Sequence, residues 1–167
     1  LYTILSQYHL QTGHRCPRKD PSADVSIPDY QTIMLPLLQF AGDGREHSLR
    51  ETIEILADKF RLSEKEKREL LSSGQQAVFD NRVGWARTYL KKAGLLESTR
   101  RGYYKITERG LTVLQQKPSR IDASYLRQFP SFLEFQRPQK DQDLPQLKET
   151  DETQTPEEAI EAAYQSV

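Results

Sequence analysis

Five apolar residues, Phe79, Val83, Ala86, Leu90 and Ala93, follow one another at intervals of 4, 3, 4 and 3, in a stretch that closes on Gly94. At about 100° per residue these intervals keep all five within about 40° of one line, so residues 78–94 are expected to form a helix with a single apolar back. The same rotation gathers Asn81, Trp85, Thr88 and Lys92 on the opposite side and puts Arg82, Arg87 and Lys91 on the flanks. Glycine suits the left-handed turn that ends such a helix. Next come Leu95 and Leu96, a turn over 98–102 with Arg100 and Arg101 at its tip, and a returning strand in which Tyr104 and Ile106 share one face. That pattern is a β-hairpin. A helix fronted by amide, aromatic, hydroxyl and ammonium groups and followed by a basic hairpin suits insertion into the major groove of a duplex.

Upstream, Ile33, Met34, Leu37, Leu38 and Ala41 recur at helical spacing and stop at Gly42-Asp43-Gly44. Pro28 is expected at the first helical position with Asp29 favouring the helix dipole, and Pro36 is expected to kink this helix. Ser48 and Glu51, then Ser63 and Glu66, have the spacing of capping boxes. The first opens a helix burying Leu49, Ile53, Leu56, Ala57 and Phe60, and the second a short charged helix reaching Leu71. Downstream, Thr107 caps a helix over 108–116 that buries Leu111 and Leu114, and an amphipathic stretch over 122–135 supplies further aromatic core. The fold class expected is mainly α with a small β-hairpin, a winged helix-turn-helix with extra C-terminal helices.

The whole chain of 167 residues carries 24 basic and 24 acidic residues, a balance that argues against a polyanion partner until it is resolved by region. Residues 28–137 hold 19 basic and 14 acidic residues, while residues 138–167 hold two and eight. The stretch 82–109 alone has eight basic and two acidic. A basic segment beside an acidic tail raises the expectation of a polyanion partner, although a solvated helix face beside an unrelated linker gives the same numbers. No apolar run approaches the roughly 20 residues a bilayer needs, and the single Cys16 excludes an intrachain disulfide. A soluble, cytoplasmic protein is expected. His9, His14 and Cys16 lack a fourth ligand and a recognised spacing, so no metal site is assigned to them.

The stretches Ile27-Pro28-Asp29-Tyr30-Gln31-Thr32, Met34-Leu35-Pro36-Leu37-Leu38, Phe79-Asp80-Asn81-Arg82-Val83-Gly84-Trp85-Ala86-Arg87-Thr88-Tyr89-Leu90-Lys91-Lys92-Ala93-Gly94-Leu95-Leu96 and Gly102-Tyr103-Tyr104-Lys105-Ile106-Thr107 resemble the N-terminal domain of the Mrr restriction endonuclease family. The resemblance covers about residues 27–137. It implies a DNA-binding specificity domain of a modification-dependent, type IV restriction system that acts on methylated foreign DNA, with cutting done by a separate C-terminal nuclease domain. It also implies double-stranded DNA as partner and a divalent metal such as Mg²⁺ in the nuclease domain, and self-association is left open. On this basis the chain divides into an extension over 1–26, poorly ordered, the winged-helix domain over 27–137, a polar and acidic linker over 138–154, and the first helix of a nuclease domain over 155–167. Leu1 at the start and an unterminated helical pattern at the end fit a piece of something longer.

Nucleases of that kind set an acidic residue or Gln two positions before a Lys. No lysine here has Asp or Glu there, and Gln115-x-Lys117 and Gln146-x-Lys148 fall at a helix end and in the linker. No catalytic residue is therefore expected. The expected DNA contacts are Asn81, Arg82, Trp85, Arg87, Thr88, Lys91 and Lys92 on the helix and Arg100, Arg101 and Tyr103 on the hairpin. Asn81 is the candidate for an adenine edge, Trp85 or Thr88 for a methyl group, and the cations for phosphates. Trp85 filling a gap beside the first helix and Asn81 capping a turn are the bland alternatives. The competing function is a winged-helix module that docks an acidic protein partner.

Overall fold

The computed structural model describes residues 26–137 and 154–165. The expected extension and linker therefore lie almost wholly outside the described residues. Asp29 caps α1 (Tyr30–Ala41) by accepting from the amide of Thr32 at 2.7 Å, so Pro28 precedes the cap instead of opening the helix. The helix runs on through Pro36 and buries Ile33, Met34, Leu37, Leu38 and Ala41 completely.

A two-residue strand, β1 (His47–Ser48), leads into α2 (Leu49–Lys59), whose N-cap Ser48 accepts from the amide of Glu51 at 3.1 Å. The second capping box closes in both directions at α3 (Glu64–Lys67), but that helix is a single turn and does not reach Leu71. The chain leaves it because Leu71 N donates to Gln76 O and Val78 N to Glu69 O, which ties residues 69–78 into a tight loop feeding the next helix. α4 (Val78–Lys92) ends at Gly94 with φ +78°, the left-handed value its residue type accommodates. β2 (Leu96–Ser98) and β3 (Tyr103–Ile106) form the hairpin, with Leu96 opposite Ile106 and Ser98 opposite Tyr104. β1 adds to the far side of β3, giving an antiparallel sheet of order β1-β3-β2.

Thr107 caps α5 (Glu108–Gln115) by accepting from Gly110 N. Two short helices, α6 (Ala123–Leu126) and α7 (Pro130–Gln136), close the core with Ile121, Leu126 and Phe132, all fully buried. α8 (Pro156–Gln165) opens with Thr155 and Glu158 bonded to each other's amides. Two residues expected in the core are more exposed than that. Leu111 is 37% exposed because Gly110 and Val113 take the inward positions of α5, and Phe135 is equally exposed at the end of α7.

The core is centred where α4 crosses α1. Tyr89 widens the apolar back of α4 beyond the five-residue stripe, meeting Tyr30 edge-on at 5.1 Å and Phe132 at 5.6 Å. On the other side, Tyr104 ties the hairpin to α2. Its hydroxyl lies 2.6 Å from Thr52 Oγ1, which donates its own proton to Ser48 O at 2.8 Å. The phenol is therefore the donor of that pair. Burial pushes the Tyr104 pKa up to about 12. Thr52→Val should destabilise the fold by about 1–2 kcal/mol in urea titrations, since it leaves a buried hydroxyl without an acceptor. Tyr104→Phe should cost less, because Thr52 keeps Ser48. With a folded pKa above the unfolded one, the Tyr104 contribution is full below pH 10 and is lost as pH rises towards 12. Tyr104→Phe should remove that part of the alkaline decline.

Candidate nucleic-acid interface

The face of α4 turned away from the core divides into a covered half and an open half. Asn81 is the main departure from the helix pattern, being only 4% exposed. Its Nδ2 donates to Gln76 Oε1 at 3.2 Å and its Oδ1 accepts from the hydroxyl of Thr155 at 2.7 Å. The amide expected to read a base edge thus lies beneath the start of α8. Arg82 is engaged in the same place. Nη1 donates to Ile27 O at 2.7 Å, Nε donates to Glu158 Oε1 at 2.9 Å, and Nη2 stands 2.8 Å from the same carboxylate oxygen. The indole N–H of Trp85 donates to Glu157, and its ring meets Tyr89 edge-on. These three expected contacts are brought together, but under α8.

The open half holds Gly84, Arg87, Thr88 and Lys91, with Lys92 at its border. Thr88 is half-buried, and its Oγ1 donates to Gly84 O at 3.0 Å, which leaves the oxygen lone pairs able to accept. Lys91 is exposed, and Lys92 Nζ sits 5.1 Å from the centre of the Phe135 ring. Arg87 is distinctive: its Nε is the one buried side-chain N or O atom among the described residues that has no hydrogen-bond partner. A buried donor left open at the border of an exposed strip is a position where a water or an anion oxygen completes the bonding.

On the hairpin, Arg100 stacks 3.7 Å from the centre of the Tyr103 ring and pairs with Glu46 at 3.1 Å. Glu46 also accepts from Thr99, and that hydroxyl, with Arg100, holds its carboxyl below the usual carboxylate range. The tip is fixed from the other side by Leu49 N donating to Gly102 O at 2.9 Å. Arg101 stays exposed at the turn. The hairpin is therefore pinned by one arginine and presents the other.

An open groove runs between α2, α3, the start of α4 and the hairpin tip. Its charged lining is Glu54, Asp58 and Asp80 against Arg50 and Lys67, a poor seat for a polyanion. The exposed basic residues gather instead on the C-terminal half of α4 and the hairpin tip.

Sequence reasoning missed Glu46, the amides of Ser72 and Ser73, and the three glutamates of α8. A two-residue strand such as β1 has no period to detect, and backbone donors carry no sequence signal. Glu157 and Glu158 did carry one, an acidic first turn in a chain that also holds a basic segment. Among the described residues no three His, Cys, Asp or Glu side chains gather as a metal would require, and none of the helices is long and apolar enough to cross a membrane.

The type IV methyl-directed restriction enzyme EcoKMrr of Escherichia coli strain K12 is 32% identical over 95 residues, which is 56% of this chain and 31% of that protein. The chain thus spans about a third of the length of that curated relative. No solved structure matches it significantly. Residues 30–116, from the first residue of α1 to the C-cap of α5 and just over half of the chain, match the Mrr N-terminal domain, and the chain belongs to that family.

Proposed function

We propose that α1 to β3 is a winged helix-turn-helix that binds double-stranded DNA for an Mrr-like type IV restriction system, recognising methylated foreign DNA. The observation that carries this reading is the open strip of Arg87, Thr88 and Lys91 on α4, set beside a hairpin that presents Arg101. A helix followed by a basic hairpin offers one element to the major groove and one to the flanking backbone. Arg87, Lys91, Lys92 and Arg101 supply phosphate contacts, which position the domain. Thr88 offers a hydroxyl and a methyl group to the base edges. The methyl-directed activity named for EcoKMrr supports a modified base as the target. Cutting would fall to a nuclease domain joined through the linker at 138–154. The described residues offer no ligand group for the divalent metal, such as Mg²⁺, that such a domain uses. A cytoplasmic site of action follows from a foreign-DNA target.

Fluorescence anisotropy with duplexes that are unmodified, adenine-methylated or cytosine-methylated tests this. Four cations on the open surface predict a log-log salt slope of about −4 and tighter binding to one methylated duplex. A flat salt response would exclude the DNA reading. The alternative, docking of an acidic protein surface, has one observation in its favour: α4 already holds an acidic helix, its own.

A further inference from the structure

α8 is seated on α4 by carboxylates more than by apolar burial. Glu161 accepts from two successive backbone amides, Ser72 N at 2.9 Å and Ser73 N at 2.8 Å. These amides sit in a turn closed by Gly74 N donating to Leu71 O at 2.7 Å, with Gly74 at φ +70°. Consecutive N–H groups converging on one carboxylate form an anion-binding nest. Next to it, Glu158 takes the guanidinium of Arg82, and Glu157 takes the indole N–H of Trp85. The apolar residue at the centre of α8, Ile160, is meanwhile 40% exposed.

The groups under these carboxylates are all donors: two amides, a guanidinium and an indole N–H. That is the donor set protein surfaces use for phosphate oxygens. We infer that the surface formed by the amides of Ser72 and Ser73, Arg82 and Trp85 is a second phosphodiester-binding track, and that α8 occupies it as an intramolecular competitor that DNA must displace. This rests on the DNA-binding reading above. It also accounts for why three expected contacts, Asn81, Arg82 and Trp85, sit together and are covered together. The amides hold the Glu161 carboxyl below the usual carboxylate range, so it is charged at neutral pH and α8 meets the track as an anion. The contacts of Glu157 and Glu161 lie at the exposed surface, where carboxylate interactions are individually weak and salt-screened, while the Arg82–Glu158 pair is the sheltered one.

Trp85 is the single tryptophan of the chain, so its emission reports on the seat directly. The test uses the full 167-residue chain and a duplex of mixed sequence at low salt. Glu158→Gln with Glu161→Gln should tighten DNA binding about 10-fold. Glu108→Gln with Glu134→Gln removes the same charge at exposed sites on α5 and α7 and should gain about 2-fold at most, the general electrostatic effect. Trp85 emission should shift when DNA is added to the unaltered protein and should already be shifted in the Glu158, Glu161 variant. If that variant does not fold, the emission response of the unaltered protein decides alone. Salt-dependent DNA binding with no change in Trp85 emission, and equal gains from the two pairs of substitutions, would overturn the inference and leave the DNA reading standing. Absence of DNA binding in every variant would overturn both.

Discussion

Replacing Gly110 with alanine is expected to destabilise the fold by about 3 kcal/mol, lowering the melting temperature by roughly 10 °C. Helix propensity alone gives the opposite sign, since alanine is favoured over glycine inside a helix by about 1 kcal/mol. Packing decides. A Cβ at Gly110 would stand 2.3 Å from Leu95 O and 2.6 Å from Cγ1 of Ile106. Leu95 O is backbone, fully buried, and already accepts from Thr107 N at 3.0 Å, so it cannot retreat without breaking the link between the hairpin and α5. Gly84, near the middle of α4, is the internal control. A Cβ there meets nothing within 4 Å, and Gly84→Ala should stabilise by about 0.5–1 kcal/mol. Thermal and urea melts of the two variants should move in opposite directions. A shift of the same sign in both would show that close approach at Gly110 is not what fixes α5.

That contrast also shows how far the sequence specifies the fold. The stripe from Phe79 to Ala93, the stop at Gly94, the basic hairpin and the cap at Thr107 were all legible, because each rests on a local rule about periodicity, φ or an orphan amide. β1 was not, since two residues have no period and its pairing with β3 is non-local. α3 was expected too long because a capping box marks where a helix starts and nothing about where it ends; a bridge between Leu70 and Ala77 ends this one. Leu111 was assigned inward by spacing, yet the close approach at Gly110 turns another face of α5 to the sheet. At the candidate site, the rotation that placed Asn81 and Trp85 on the polar front of α4 was correct about the helix and silent about α8. What covers a face depends on a segment more than 70 residues further along the chain, and only its complementary charge was written locally.

Changing Lys91, Lys92 and Arg101 together to alanine is expected to weaken DNA binding at least about 100-fold at 0.1 M salt, the largest functional effect accessible on the open surface. Each phosphate contact contributes about 0.9 to the log-log salt slope. Extrapolated from 1 M to 0.1 M salt, that is roughly eightfold per contact, and three contacts multiply to several hundredfold. The slope should fall from about −4 to about −1 in the triple variant, with all duplex sequences weakened alike. Stability should change little, because Lys91 and Arg101 are exposed and Lys92 loses only a stack on the half-exposed Phe135. Arg100→Ala should behave differently, weakening binding less while loosening the hairpin, since its guanidinium is already committed to Glu46 and Tyr103. Thr88→Ala should leave the salt slope alone and narrow the gap between methylated and unmodified duplexes, because a hydroxyl and methyl on the open strip read bases, not phosphates. A triple variant that binds normally would place the DNA on another face. A Thr88 variant that changes the slope but not the discrimination would remove α4 from base reading.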